Sequence, residues 1–230
     1  MKNEMAHGLR PTHLSTANKL ARGVWNLVWV VLFRPTPRPL HAWRCLLLRL
    51  FGAKLGKAVH PYPSARIWAP WNLEMGDHSC LSENVDCYCV ERVTIGAHAT
   101  VSQYSFLCAA SHDYSSLDMP MVAAPITIGE RAWVTADVFV GPGVTIGNGA
   151  VVLARSSVFK DVAPWTVVGG SPAKFLKPRM IEAGGSSSES VAPEAARSAI
   201  DSAAPEPAHG ASVSAAPVSK NSESSSGTLL

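Results

Sequence analysis

Aliphatic residues recur at every sixth position through the middle of this chain. Ile128, Val134, Val140, Ile146, Val152 and Val158 keep that step without a break; Ile95, Val101 and Leu107 keep it upstream, as do Ile67 and Leu73 further back. Gly96, Gly129, Gly141 and Gly147 follow these positions or sit beside them. Neither the 3.6-residue period of an α-helix nor the alternation of a meander strand sustains a period of six. A parallel β-helix does. Each hexapeptide supplies one short strand and a corner, three make a triangular turn of about eighteen residues, and each turn buries its apolar side only against the next. The aliphatic residue points into the prism, and the small residue lets the chain turn. The pattern predicts a mainly β domain over residues 58–180.

The period breaks between Leu107 and Ile126. The intervening CAASHDYSSLDMPMVAAP holds no hexapeptide register and reads as a loop, 108–125, thrust out from a rigid scaffold, where chemistry tends to sit. Ahead of the repeats, residues 1–57 read as a basic helical segment. An apolar stretch from Val24 to Phe33 is closed by Arg34-Pro35. Pro35, Pro37 and Pro39 impose an extended connection, and a second helix is predicted from Leu40 to Phe51, stopped by Gly52. The apolar run is too short to span a bilayer, starts late and lacks a small-residue cleavage site, so no signal peptide is expected. After the repeats, residues 183–230 are Ser, Ala, Pro, Gly and Glu with almost no aliphatic periodicity. That tail is expected to be disordered, because it buries too little apolar surface to offset its ordering entropy.

Composition narrows the classes. A net charge of +3 without a combined aromatic and basic recognition motif gives no ground for a nucleic-acid binder. Five cysteines, an odd number without framework spacing, suit a reducing, cytoplasmic compartment. Cys87 and Cys89 would share one face of a strand, but no second pair completes a zinc site, so they read as core thiols. The charge is also uneven. Between Met5 and Leu73 there is no acidic residue, while Arg10, Lys19, Arg22, Arg34, Arg38, Arg44, Arg49, Lys54, Lys57 and Arg66 fall in that interval, with Trp25, Trp29 and Trp43 among them. Such a segment can rest on an anionic membrane surface through residues 18–51, peripheral to the inner face. It can equally cover the open end of the main domain near Ile67, with its tryptophans buried.

The repeats T-I-G-E-R-A-W-V and V-G-P-G-V-T-I-G-N-G-A-V-V, followed by S-V-F-K-D-V and G-G-S-P-A-K, resemble the hexapeptide-repeat O-acetyltransferases, and among them the sugar O-acetyltransferases. W-N-L-V-W-V-V-L-F-R-P-T-P-R-P-L-H-A-W-R and the S-H-D-Y loop are most similar to the colanic acid biosynthesis acetyltransferases, which modify exopolysaccharide. The resemblance spans roughly residues 18–180 and implies a left-handed parallel β-helix, acetyl-CoA as donor, and a homotrimer with the donor groove between subunits. Acyl transfer to a sugar hydroxyl needs a base near neutral pH, and His112 is the histidine of the loop. The resemblance places the family's catalytic histidine there, with adjacent Asp113 or a backbone carbonyl to orient the ring. For the donor it implies Trp133 beside the pantetheine arm, Ala136 and Ala154 at coil corners, and Lys160 and Lys174 towards the nucleotide phosphates. Two positions depart from the family pattern: Thr135 and Arg155 stand where relatives usually have glycine. The change alters a tight corner, or Arg155 adds a phosphate contact. For the acceptor the candidates are Asn84, Asp86 and, in the loop, Tyr114.

Other readings use the same prism. A γ-type carbonic anhydrase would need His78, His98 and His112 around a metal, but the close histidine pair on one coil is absent, so no metal is expected. A non-catalytic scaffold and a xenobiotic or serine acetyltransferase complete the alternatives. The long basic N-terminal segment stands against the last two, and the acceptor is expected to be a sugar or lipid-linked saccharide.

Overall fold

The structure, a computed structural model, describes residues 9–12 and 14–182, together with the backbone of 190–191. The tail expected to be disordered, 183–230, lies outside the described residues apart from that pair, whose strand Ser190–Val191 runs antiparallel to Ile181–Glu182 just before the tail. Three parallel sheets form the faces of a left-handed prism of about six turns. The first face stacks Lys54–Leu55, Leu73–Met75, Val93–Ile95, Ile126–Ile128 and Thr145–Ile146. The second stacks His60–Pro61, Cys80–Leu81, Thr100–Val101, Trp133–Val134, Val151–Val152 and Thr166–Gly169, and Lys174–Pro178 closes it antiparallel. The third stacks Arg66–Ile67, Asp86–Tyr88, Phe106–Cys108, Phe139–Val140 and Ser157–Val158.

The sixth-position residues are the inward columns of these faces. Met75, Ile95, Ile128 and Ile146 are successive register partners, as are Leu81, Val101, Val134, Val152 and Val168, and all are buried. The turns are not uniform. Eighteen residues separate Ile128 from Ile146, but twenty separate Met75 from Ile95. The extra pair falls between the third face and the first, and at that same edge the chain leaves the prism after Cys108. Glycine serves this stack differently from the expectation that it lets the chain turn. A Cβ on Gly96 would lie 2.5 Å from the backbone nitrogen of Glu130, so the small residue is needed because stacked corners touch. The left-handed backbone sits two residues later and is mostly carried by other residues: His78, His98 and Arg131 have φ of 56, 58 and 56°. Each costs about 1 kcal/mol relative to glycine and is held by the turns above and below.

Two helices cover the first turn. Helix α1, Thr16–Val28, begins at Ser15, whose hydroxyl accepts from the Asn18 amide (3.1 Å), and runs on as a wider turn over Trp29–Phe33. Helix α2, His41–Leu50, ends where Gly52 (φ 89°) donates its amide to the Arg49 carbonyl and Ala53 to that of Leu48. Trp25 is fully buried and donates to the Ile67 carbonyl (2.7 Å), and Trp29 donates to that of Ala65 (2.9 Å). Arg44, also buried, donates to the carbonyls of Pro61, Pro37 and Arg38. Trp25 and Trp29 therefore serve the cap rather than an outer surface, whereas Trp43 remains 40% exposed.

The segment 108–125, read from the sequence as a loop, contains regular structure. Ala110–His112 and Met121–Ala123 form an antiparallel pair, and Arg10–Pro11 adds a third strand outside Met121–Ala123. Strands of two and three residues are too short for a period to register.

Candidate active site

His112 ends the outgoing strand of this hairpin, opposite Met121 in the register. Asp113 donates its amide to the Pro120 carbonyl (2.9 Å), and Thr12 donates to that of Met121 (3.0 Å), which ties the N-terminal strand to the hairpin. Between the hairpin and the third face lies a cavity of about 320 Å³. Cys108, Phe139, Gly141 and Phe159 form its prism side, while His112, Tyr114, Val122 and Pro11 line the hairpin side. A Cβ on Gly141 would come within 3.3 Å of the Phe159 ring, so glycine keeps that wall open. Burial pushes the Cys108 thiol up, and it donates to the Ala110 carbonyl (3.0 Å), so the wall it forms is neutral.

Among the described residues one hydrogen bond fixes the imidazole of His112. Its Nδ1 lies 2.6 Å from the Met119 carbonyl oxygen. A carbonyl only accepts, so Nδ1 carries the proton and Nε2 keeps the lone pair of the neutral ring. Asp113 is turned elsewhere: its carboxylate accepts from the Ser115 hydroxyl (2.5 Å) and the Ser115 amide (3.0 Å), bonds that hold it below the usual carboxylate range. Of the two ring-orienting groups foreseen, the backbone carbonyl is the one in contact. Tyr114 lines the same cavity.

Asn84 and Asp86 sit outside the cavity lining. Asn84 is exposed at a corner with φ 55°, its amide donating to the Ser64 hydroxyl (3.0 Å). Asp86 is half-buried on the third face between Arg66 and Phe106 in the register; burial pushes its carboxyl up and Arg66 opposes that. Phe106 stands between Asp86 and Phe139, the nearest cavity residue in that row.

The donor candidates lie on the later turns. Trp133 is on the second face, 47% exposed, and donates to the Ser102 hydroxyl (2.9 Å). Ala136 and Ala154 occupy one corner on successive turns, joined by the Arg155 amide donating to the Ala136 carbonyl (3.1 Å). Arg155 has φ 59°, matching Asp137 (58°) above it, so the corner keeps its shape without glycine. Its Nε lies 3.6 Å from the Asp137 carboxylate, in a pair open to solvent. Thr135 is buried, and its hydroxyl has no partner among the described residues. Lys160 directly follows Phe159 of the cavity, and Lys174 is exposed on the closing strand. These residues fit a long anionic thioester carrier: an apolar cavity for its reactive end, small corners beside an exposed indole for a thin arm, and three cations on the later turns.

His78 and His98 stack at a corner of the prism, ring centroids 5.0 Å apart, whereas His112 is on the hairpin. Among the described residues no three His, Cys, Asp or Glu side chains are grouped to hold a metal ion. The sequence reading missed Cys108, Phe139 and Phe159. The two aromatic positions were accessible, because each adjoins an inward valine, Val140 or Val158, and must face outward. The strand Arg10–Pro11 carries no such signal.

No family model matches the chain. The Escherichia coli protein named "Putative colanic acid biosynthesis acetyltransferase WcaF" is 45% identical over 170 residues, covering 74% of this chain and 93% of that protein. A hexapeptide-repeat acetyltransferase of Vibrio cholerae, solved with acetyl coenzyme A, superposes with a TM-score of 0.65 at 27% identity, over 71% of this chain and 90% of that one. A galactoside acetyltransferase solved with coenzyme A shares the fold, with a TM-score of 0.67 and 24% identity over 73% and 85% of the two chains.

Proposed function

The chain belongs to the hexapeptide-repeat acetyltransferases, and from that premise we propose that it moves an acetyl group from acetyl-CoA to a sugar hydroxyl during exopolysaccharide assembly, with His112 as general base. The observation that carries this reading is the Met119 contact on a histidine that lines the cavity: with Nδ1 donating to that carbonyl, Nε2 is the proton-accepting nitrogen of the neutral ring. His112 takes the hydroxyl proton as the acceptor oxygen bonds to the thioester carbonyl carbon; the carbon–sulfur bond breaks, and the proton passes to the leaving thiolate. The donor is held along the later turns by Trp133, the Ala136 and Ala154 corners, Arg155, Lys160 and Lys174, with its acetyl end in the cavity. Tyr114, which lines the cavity, would meet the acceptor there, and Asn84 and Asp86 would touch only an acceptor that extends along the third face.

A homotrimer is part of the reading. Trp133, Leu153 and Leu176 stand exposed on the second face, an apolar surface suited to a neighbouring subunit in a closed ring. A cytoplasmic location fits the five free cysteines and the donor. Mass spectrometry of exopolysaccharide tests the proposal in cells with the gene removed and restored as wild type or His112→Ala. Acetyl groups should vanish without the gene, return with wild type and stay absent with His112→Ala. An unchanged polymer in all three would refute it.

A further inference from the structure

We infer that the outward side of the helical cap docks on the surface of an anionic lipid bilayer. With Trp25 and Trp29 committed to carbonyls of the first turn, the opposite side of the cap would be expected to be polar. It is not. Leu20, Val24, Leu27 and Val31 recur at the spacing of one helical face, and all are exposed, Leu20 by 72% and Leu27 by 65%. In α2, Trp43, Leu46 and Leu50 repeat the pattern, with Leu50 exposed by 72%. The Trp43 indole donates to the Leu32 carbonyl (2.9 Å), which brings the two rows together at the end of the first helical run. An apolar surface of this kind marks a binding site.

Charge selects the occupant. The chain has no acidic residue between Met5 and Leu73, so the cap carries no carboxylate, while Lys19 and Arg34 are exposed on it and Arg49, also exposed, turns its guanidinium to the Leu55 and Gly56 carbonyls. A neighbouring protein surface would have to meet that one-sided charge, whereas an anionic headgroup layer supplies its complement everywhere. Among the described residues no helix is long and apolar enough to cross a membrane, and a helix pair with one apolar side and basic flanks lies in the interface plane. Two uses of the cap that look exclusive in the sequence are thus simultaneous: tryptophans inward on the prism, aliphatics outward on lipid. This inference does not depend on which sugar is acetylated.

Co-sedimentation of the full chain with vesicles tests it, using phosphatidylcholine alone and phosphatidylcholine with about a third phosphatidylglycerol, at low and high salt. The protein should pellet with the anionic vesicles at low salt and be largely released at high salt. Leu27→Glu with Val31→Glu should lower the bound fraction at least about tenfold, leaving melting temperature, CoA binding and oligomeric state unchanged. Lys19→Gln with Arg34→Gln, which leaves the apolar rows intact, should remove most of the salt-sensitive part. A wild-type protein that stays in solution with anionic vesicles, or pellets equally with neutral ones, overturns the inference. So does a Leu27/Val31 variant that pellets like wild type. A variant that changes oligomeric state would instead assign the surface to another copy of the chain.

Discussion

The prism and the hairpin that leaves it hold their side chains by different means. In the prism a residue such as Ile128 is fixed from above and below by Ile95 and Ile146, and its position repeats through the stack. In the hairpin His112 is fixed by one carbonyl, that of Met119, on strands of three residues braced by Arg10–Pro11. Redundant packing gives stability without chemistry. A single directional contact at an exposed edge gives a base with a defined tautomer, and losing that side chain costs the fold little.

The sharpest test of that division is His112→Ala. Acetyl transfer should fall by about 10²–10⁴-fold, the usual contribution of a general base, with the melting temperature almost unmoved. A large thermal shift would mean that the hairpin is part of the stack. Ile128→Ala is the converse. It should cost about 2–5 kcal/mol of stability, because neither neighbouring turn can close the void, while transfer per folded molecule stays near normal below the transition. Thermal or denaturant unfolding reads the first effect and turnover the second.

Smaller effects refine the picture. Arg44→Met strands the carbonyls of Pro61, Pro37 and Arg38 and should destabilise by about 2–3 kcal/mol without changing CoA affinity, since the cap lies at the other end of the prism from the donor residues. Asp113→Asn should change turnover by less than about threefold, because the carboxylate bonds to Ser115 and not to the imidazole. A loss as large as that of His112→Ala would return Asp113 to the mechanism. The depressed Asp113 carboxyl favours the hairpin above the ordinary carboxylate range, and that contribution fades as pH falls through its folded value. The effect should be slight for so exposed a group. Carbon-13 chemical shifts of the Asp113 carboxyl would show the transition displaced to lower pH.

What the sequence revealed follows the same line. The columns were legible because one residue type recurs at a fixed step, and the helices because proline and Gly52 mark their ends. The cause of the glycines was not, because contact between stacked corners leaves the same letter in the sequence as a turn. The twenty-residue early turns were hidden because Leu73 and Met75 both face inward, so a six-residue step can be read through either. At the site, His112 was visible as a loop histidine. Its carbonyl partner was not, since any backbone can supply one. The outward side of the cap was obscured for another reason: leucine and valine at helical spacing read equally well as a buried face, whereas these stand exposed beside Trp43.

The base role proposed for His112 depends on its tautomer. Nitrogen-15 NMR of histidine-labelled protein, assigned with His112→Ala and recorded where the ring is neutral, reports it directly. The hydrogen bond to Met119 requires a protonated Nδ1 and an unprotonated Nε2 with the shift of a lone-pair nitrogen. A ring protonated at Nε2 instead would put its lone pair against the Met119 carbonyl oxygen and contradict the assignment of His112 as the base.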